Sequence, residues 1–234
     1  AVSGALSPMS RRDAKRRIAR ATELLEERFG RPDRRASGDV VGELVRTILS
    51  QNTSDVNSGR AYRRLRERFP RWEAVRNARA RSLASAIRVG GLADVKSRRI
   101  RSILGLIERD RGSIDLEFMR GLPTDAVLER LRELPGVGPK TAACVALFEL
   151  GRDVIPVDTH VHRVVNRLGF VGRQRTRERT FEALNAAAPE GIALSLHVNL
   201  IRLGRTVCRP SDPRCGECPL RRMCAFAGKG TGGT

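Results

Sequence analysis

Lysine, aromatic residues and long apolar runs are all scarce in this chain of 234 residues. No stretch approaches the roughly 18 consecutive apolar residues that a membrane-spanning helix needs, which excludes a helical membrane span. The N-terminal residues also lack the apolar run of a secretory signal. With seven Phe, one Trp and one Tyr, the chain offers few aromatic side chains for stacking. We therefore expect a soluble protein of the cytoplasm.

Acidic residues and lysines are few compared with arginine. The chain has 45 basic and 26 acidic side chains, a formal net charge of +19, and its only lysines are Lys15, Lys96, Lys140 and Lys229. A surface this basic is typical of proteins that bind a polyanion, above all nucleic acid. Because lysine is so rare, a lysine in an unusual setting becomes a candidate for a specific role.

β-Strand patterns are absent as well, and the hydrophobic spacing is helical nearly everywhere. Helical stripes cover 12–29, 41–49, 58–69, 100–107, 125–134, 161–168, 178–187 and 192–203. Residues 141–150 are apolar on all sides, which predicts a helix buried in the core. Gly and Pro interrupt the stripes, so the sequence predicts an all-α fold of about ten short helices. The Gly-rich tail from Gly228 is expected to be disordered.

Residues 134–140, with the sequence LPGVGPK, join two helical stripes through a turn. Gly136 and Gly138 can adopt a positive φ, and Pro139 suits the first position of the next helix. The backbone N–H groups of Gly136, Val137 and Gly138, together with the positive end of the helix dipole, suit a nucleic-acid phosphate. An ordinary turn between helices has the same glycines and prolines. The net charge of +19 favours the phosphate site.

Lys140 falls in the first turn of the buried helix. There the positive end of the helix dipole disfavours an ammonium, and the apolar surroundings limit its solvation. A lysine held neutral in this way is a nucleophile, whereas most lysines near a helix start are solvated surface charges. Asp158, in the segment PVDTH, begins the helix that carries the 161–168 stripe. It suits either an N-cap or a catalytic carboxylate.

Cysteine is also rare, and four of the five cysteines, Cys208, Cys215, Cys218 and Cys224, lie close together near the C-terminus. This clustering is unlike the disulfide framework of a secreted protein and typical of a metal site in a reducing compartment. Four thiolates suffice for a tetrahedral zinc site or for an iron–sulfur cluster, and ligand chemistry alone does not decide between them. Cys144 lies in the buried helix and is interpreted as a small core residue.

The segment 134–170 resembles the helix-hairpin-helix DNA glycosylases, and specifically the endonuclease III family. The resemblance rests on LPGVGPKTA followed by VDTHV, and it extends from about residue 38 to Cys224. In that family the lysine matching Lys140 attacks the sugar of a damaged nucleotide, and the aspartate matching Asp158 assists. The resemblance therefore implies a base-excision repair enzyme that is both DNA N-glycosylase and AP lyase, acting through a lysine Schiff base and β-elimination. Its implied substrates are oxidised or ring-saturated pyrimidines in duplex DNA.

The same resemblance implies a cofactor and a domain organisation. Endonuclease III relatives use the spacing of these four cysteines to hold a [4Fe-4S] cluster. Family members have two all-α lobes, which here implies a six-helix barrel at 38–152 that carries the hairpin and an iron–sulfur lobe in which 1–37 packs on 153–234. They bind DNA in the cleft between the lobes, with the matching lysine and aspartate facing each other. Arg209 and Arg214 in the cysteine loop are candidates for phosphate contacts or for offsetting the charge of the cluster.

A glycosylase must turn its target nucleotide out of the stack and fill the gap with a side chain. The resemblance places that side chain in the polar turn after the 41–49 stripe, where Asn52 matches the usual glutamine of the family and Gln51 stands one position earlier. Which of the two fills the gap stays open, as does the preferred lesion. A second DNA-facing turn of the family resembles residues 89–92, which implies DNA contacts from Gly91 and Lys96.

Two alternatives remain at this point. One is a monofunctional mismatch or adenine glycosylase on the same fold, which Lys140 disfavours because the adenine branch lacks that lysine. The other is a non-catalytic DNA-binding module with a structural zinc. As partner we expect duplex DNA with damaged bases or abasic sites. We further expect a monomer that is associated with the nucleoid and not with a membrane.

Overall fold

A computed structural model of the chain describes residues 10–34 and 36–227, so the tail from Gly228 lies outside the described residues. Over these ranges the regular structure is entirely helical, which confirms the predicted all-α fold. None of the described helices is long and apolar enough to cross a membrane. The α-helices are α1 (Arg11–Phe29), α2 (Val40–Ser50), α3 (Asp55–Arg68), α4 (Trp72–Asn77), α5 (Ala80–Ile87), α6 (Ala93–Arg111), α7 (Thr124–Arg132), α8 (Pro139–Phe148), α9 (Thr159–Leu168), α10 (Arg177–Ala187) and α11 (Ala193–Thr206).

The chain divides into two compact units. The central unit runs to Arg152 and contains α2 to α8. The terminal unit combines the chain up to Arg34 with the chain from Asp153 onward, and so contains α1 and α9 to α11. Within it α1 packs against α10 and α11.

The core of the central unit is built around α8. Residues Thr141 to Leu147 are all buried, as the uniformly apolar sequence predicts. Helix α2 packs along α8 and also contacts α3 and α6. Its buried residues include Leu44, Ile48 and Leu49, which are wholly shielded from solvent. Burying each such side chain contributes about 1.5–3 kcal/mol, which stabilises α2 in this core.

A buried carboxylate ties the end of α8 to the start of α2. Glu149 is only 1% exposed. Its Oε1 accepts hydrogen bonds from the Gly38 backbone N–H (2.9 Å) and from Arg120 Nη2 (2.8 Å), and its Oε2 accepts one from the Ser37 N–H (2.8 Å). Burial alone raises the pKa of a carboxyl group, but these donors outweigh it, so the pKa of Glu149 is lowered.

Candidate active site

The hairpin between α7 and α8 has the conformation that its glycines allow. Gly136 has a φ of +73°, and the Val137 N–H donates to the Leu134 carbonyl (3.1 Å). Val137 is 5% exposed and its N–H is used within the hairpin, so the prediction that this N–H binds a phosphate is wrong. Gly138 is the N-cap of α8 and Pro139 follows in the first turn. Gly138 has no side chain that could cap this helix start. The backbone at Gly136 and Gly138 is solvent-exposed, as an anion site at a helix N-terminus requires.

Arg99 connects α6 to the turn after α2 and, through Gln51, to the first turn of α8. Its Nη1 donates to Gln51 Oε1 (2.7 Å), and Gln51 Nε2 donates in turn to Thr141 Oγ1 (3.3 Å). The Arg99 guanidinium lies so close to Gly136 that a Cβ at this position would clash with it. The sequence analysis missed Arg99, because nothing local distinguishes it from the other arginines of α6.

Lys140 is the second residue of α8 and is partly exposed. The charge of Lys140 acts on the carboxyl group of Glu43, a residue of α2 that the sequence analysis also missed. Burial raises the pKa of Glu43, on α2, to about 7, and the charges of Arg46 and Lys140 oppose this shift. The sequence feature that could have identified Glu43 is its position as an acidic residue inside the apolar stripe at 41–49. Lys140 and Glu43 are therefore two ionisable groups of the central unit that act on each other.

The structure corrects the prediction that Lys96 contacts DNA. Lys96 is 2% exposed. Its ammonium donates to the Leu49 carbonyl (2.7 Å), to Thr53 Oγ1 (2.7 Å) and to the Gly90 carbonyl (2.8 Å). These three acceptors use the three N–H donors of the ammonium, so no donor is left for a phosphate. Lys96 instead joins the turn after α2 to the turn before α6.

The two turns that Lys96 joins contain three further residues predicted to contact DNA, Gln51, Asn52 and Gly91. Asn52 is exposed and has a φ of 51°, in the left-handed region. Gly91 is exposed too, with a φ of +65°. Gln51 is half-buried and is held by Arg99 and Thr141. Of the two candidates for filling the gap, Asn52 projects from the turn and Gln51 is bonded within the central unit.

Asp158, in the terminal unit, has the N-cap geometry that the sequence allows. Its Oδ1 accepts a hydrogen bond from the Val161 N–H (2.8 Å) at the start of α9. The side chain remains partly exposed. Its catalytic role stays a prediction.

Cys208, Cys215, Cys218 and Cys224 line one cavity of the terminal unit. Its other lining residues include the apolar side chains of Leu168, Leu203 and Val207. Burial raises the pKa of the Cys218 thiol to about 11, and the three other thiols add to the effect. In the described ranges no three His, Cys, Asp or Glu side chains are arranged to hold a single metal ion. The thiols thus share one cavity, whose lining combines apolar side chains with the arginines Arg167, Arg214 and Arg221.

Two arginines of α9, which the sequence analysis missed, anchor the cysteine loop. Arg163 Nη2 donates to the carbonyls of Gly204 (2.7 Å) and Cys208 (3.0 Å). Arg167 Nη1 donates to the Arg209 carbonyl (2.6 Å) and lies 3.4 Å from Cys208 Sγ. Their four-residue spacing puts both on one face of α9.

The arginines that the sequence does single out in this loop have acidic partners. Arg209 Nη2 bonds Asp212 Oδ2 (2.8 Å), and Arg214 Nη1 lies 4.0 Å from Glu217 Oε2. The Arg214 side chain is 53% exposed and that of Arg209 is 36% exposed, so both guanidinium groups reach the surface. Neither pair excludes a phosphate contact, because ion pairs this exposed are weak.

Comparison with known proteins agrees with the geometry. Residues 45–190 match the model of the HhH-GPD superfamily of base excision DNA repair proteins. A candidate DNA glycosylase of Arabidopsis thaliana is 40% identical over 166 residues, which is 71% of this chain and 57% of that protein. Endonuclease III of Thermotoga maritima is 36% identical over 183 residues, 78% of this chain and 81% of that protein.

A solved structure of endonuclease III, trapped as a covalent intermediate with DNA, has the same fold. It superimposes with a TM-score of 0.77 at 26% identity, covering 94% of this chain and 98% of that one. This chain belongs to the HhH-GPD superfamily of base excision DNA repair proteins and, within it, to the endonuclease III-type DNA glycosylases.

Proposed function

We propose that this protein is a bifunctional DNA N-glycosylase and AP lyase that removes oxidised or ring-saturated pyrimidines from duplex DNA. The observation that carries the proposal is Lys140, a partly exposed primary amine in the first turn of α8, directly after the exposed glycines of the hairpin. A Schiff base requires such an amine next to a bound sugar–phosphate. The trapped covalent complex of endonuclease III with DNA supports the same chemistry here.

The other lysines are poorer candidates for the nucleophile. Lys96 is buried with its three N–H donors engaged. Lys15 lies on the exposed face of α1, among other basic residues. Lys229 lies in the Gly-rich tail, outside the described residues. Among the lysines that the structure describes, Lys140 is thus the one that combines access to solvent with a fixed position beside the exposed glycines of the hairpin.

In the proposed reaction, exposed N–H groups of the hairpin bind a phosphate and hold the target nucleotide next to Lys140. The Lys140 nitrogen forms a bond to C1′ as the bond from C1′ to the base breaks. Opening of the sugar gives the Schiff base, and loss of a proton from C2′ then breaks the C3′–O bond and nicks the strand. By resemblance we assign Asp158 the stabilisation of the charge that develops on the sugar.

We also propose a [4Fe-4S] cluster bound by Cys208, Cys215, Cys218 and Cys224. A group of this kind takes four thiolate ligands. It suits a cavity lined by four cysteines, apolar side chains and arginines that can balance its negative charge. When bound, it would cross-link the loop. Arg167, next to Cys208 Sγ, would donate to a ligand sulfur and balance part of the negative charge.

The cluster is tested on the purified protein. We expect a brown solution with broad visible absorbance and close to four iron atoms per chain, the stoichiometry of this cluster type. Cys215→Ser should lose colour and iron, whereas Cys144→Ser, at the buried cysteine of α8, should keep both. A colourless protein with one zinc per chain would instead favour the DNA-binding module with structural zinc.

The partner in this proposal is duplex DNA with a damaged base or an abasic site, bound by a monomer in the cytoplasm. The net charge of +19 and the family support DNA binding.

Incubation with labelled duplexes, each containing one lesion, tests the activity. We expect oxidised or ring-saturated pyrimidines to be released and the strand to be nicked without alkali, while a matched lesion-free duplex stays intact. Release of a base with no nicking would favour a monofunctional glycosylase. If the protein released only mispaired thymine or adenine, its substrates would be mismatched bases and not oxidised pyrimidines.

A further inference from the structure

Arg99, on α6, is a residue to which the family resemblance gives no role, and it lies between two parts of the candidate active site. Its side chain is half-buried. On one side its Nη1 donates to the Gln51 amide oxygen (2.7 Å), in the turn after α2. On the other side its guanidinium packs against Gly136 of the hairpin. One side chain thus contacts both the turn that presents Asn52 and the hairpin that precedes Lys140.

The Gln51 amide extends this contact to α8. Its Nε2 donates to Thr141 Oγ1 (3.3 Å), and Thr141 is buried in the first turn of the helix, directly after Lys140. The planar amide has its oxygen on Arg99 and its nitrogen on Thr141, so a movement of either partner affects both bonds. One series of hydrogen bonds therefore joins α6, the turn after α2 and the start of α8.

The absence of a side chain at Gly136 makes room for Arg99. Gly136 has a φ of +73°, and a Cβ at this position would overlap the Arg99 guanidinium. The hairpin is itself closed by the hydrogen bond from the Val137 N–H to the Leu134 carbonyl. Arg99 thus rests on a hairpin of fixed shape, and its bond to Gln51 sets the spacing between that hairpin and the turn after α2.

Arg99 has no acidic partner among the residues that the structure describes, unlike other arginines of the central unit. Arg76 pairs with Glu108 (2.8 Å), and Arg120 pairs with Glu117. The partner of Arg99 is instead a neutral amide, at a distance typical of a strong hydrogen bond from a charged donor. The position of its guanidinium is therefore set by the amide and the hairpin and not by an opposite charge.

Removal of a base requires the turn and the hairpin to act on one nucleotide at the same time. A side chain must fill the gap while a phosphate of the turned-out nucleotide stays on the hairpin. Misplacement by about 1 Å in such an arrangement can cost on the order of 100-fold in rate. Turns are more mobile than the helices that they connect. A residue that contacts both turns restricts this movement.

We propose that Arg99 is a positioning residue of the active site. It fixes the turn that presents Asn52 relative to the hairpin, so that the gap is filled while the target sugar lies next to Lys140. The inference rests on the proposed function. Arg99 acts through the turn and the hairpin and not by contact with the reacting atoms. Loss of Arg99 should therefore slow the reaction of bound DNA and leave the affinity for DNA nearly unchanged.

Single-turnover kinetics separate this role from a phosphate contact. Wild-type protein and Arg99→Met are mixed in excess with a labelled duplex that contains one abasic site, and nicking is followed at several protein concentrations. At saturating protein Arg99→Met should be at least about 10-fold slower, while the concentration that gives half the maximal rate should change less than about 3-fold. A loss confined to affinity would overturn the inference and make Arg99 a phosphate contact.

The matched control is Arg98→Met, which removes the same charge from an exposed position of α6 and should keep the wild-type rate. Arg98→Met and Arg99→Met should both unfold in one cooperative transition above the assay temperature. If Arg98→Met were slowed as much as Arg99→Met, the effect would come from charge alone and the inference would be overturned.

A double-mutant cycle tests whether the bonds act as one link. Thr141→Val removes the hydroxyl that accepts from Gln51 and should slow nicking at saturating protein at least about 3-fold. The double variant Arg99→Met/Thr141→Val should be no slower than Arg99→Met, because both substitutions break the same link. Effects of the two substitutions that multiply would overturn the inference.

A fluorescence readout does not depend on the lyase chemistry. The fluorescent base 2-aminopurine, placed beside a stable abasic analogue, becomes brighter when a side chain enters the duplex and unstacks it. Wild-type protein at saturation should raise the fluorescence, and Arg99→Met should give less than half of that rise. An equal rise overturns the inference and leaves the proposed function intact. If wild-type protein neither nicks the abasic duplex nor raises the fluorescence, the proposed function fails and the inference fails with it.

Discussion

At the scale of single residues, Lys96 and Glu43 of the central unit differ in how well hydrogen-bond partners compensate for their burial. Lys96 is buried, but each N–H of its ammonium has an acceptor. Glu43 is less buried, yet it has only two weak partners. The sequence shows the charge of each residue and not its burial. The family resemblance of the turn at 89–92 suggested Lys96 as a DNA contact, and nothing in the sequence showed that this side chain is buried or that Glu43 is.

Lys96→Met should destabilise the protein strongly. The substitution keeps the aliphatic stem but leaves the carbonyls of Leu49 and Gly90 without this donor, in a buried setting. Removing one partner of a buried charged network costs on the order of 3 kcal/mol. Urea denaturation would measure the loss, with Lys15→Met on the exposed face of α1 as the control. Equal stability of the two variants would contradict the joining role given to Lys96.

The raised pKa of Glu43 makes stability depend on pH. The folded state binds this proton more tightly than the unfolded chain, in which the carboxyl group has its ordinary pKa of 4.5. Stability from this group is therefore fully present below pH 4.5 and is lost as pH rises through about 7. A shift of this size corresponds to about 3 kcal/mol at most. Glu43→Gln should accordingly gain stability over wild type in urea denaturation at pH 8 and not at pH 4.

At the scale of helices and turns, the sequence predicted much of what is found. The stripe at 192–203 became α11 (Ala193–Thr206), and the one at 125–134 became α7 (Thr124–Arg132). These helices follow from the spacing of apolar residues and from the Gly and Pro residues that end each stripe. Both features can be read from residues that are close together in the sequence. The hairpin glycine with positive φ, Gly136, was predictable for the same reason.

Contacts between distant elements could not be predicted in this way. Arg99 reaches from α6 to Gln51, 48 positions earlier in the chain, and Arg163 reaches from α9 to Cys208. Neither residue differs from its arginine neighbours in the sequence pattern. Such contacts depend on which helices pack together, and a local pattern carries no information about that.

At the scale of the whole molecule, the proposed chemistry draws on both compact units. Lys140 and the hairpin belong to the central unit, whereas Asp158 and the cysteine loop belong to the terminal unit. The net charge of +19 gives the whole chain a general attraction to the DNA backbone. This attraction does not depend on any single lysine, so loss of the nucleophile is separable from loss of DNA binding.

Borohydride trapping of Lys140→Gln tests the central claim most directly. The wild-type protein and the control Lys15→Gln should form a covalent complex with duplex DNA containing an abasic site, because reduction fixes the Schiff base. Lys140→Gln should form none and should not nick the strand. It should still bind the duplex within a few-fold of wild type, since arginines and backbone amides carry the phosphate contacts. Trapping of Lys140→Gln at the wild-type level would contradict the account and assign the nucleophile to another amine.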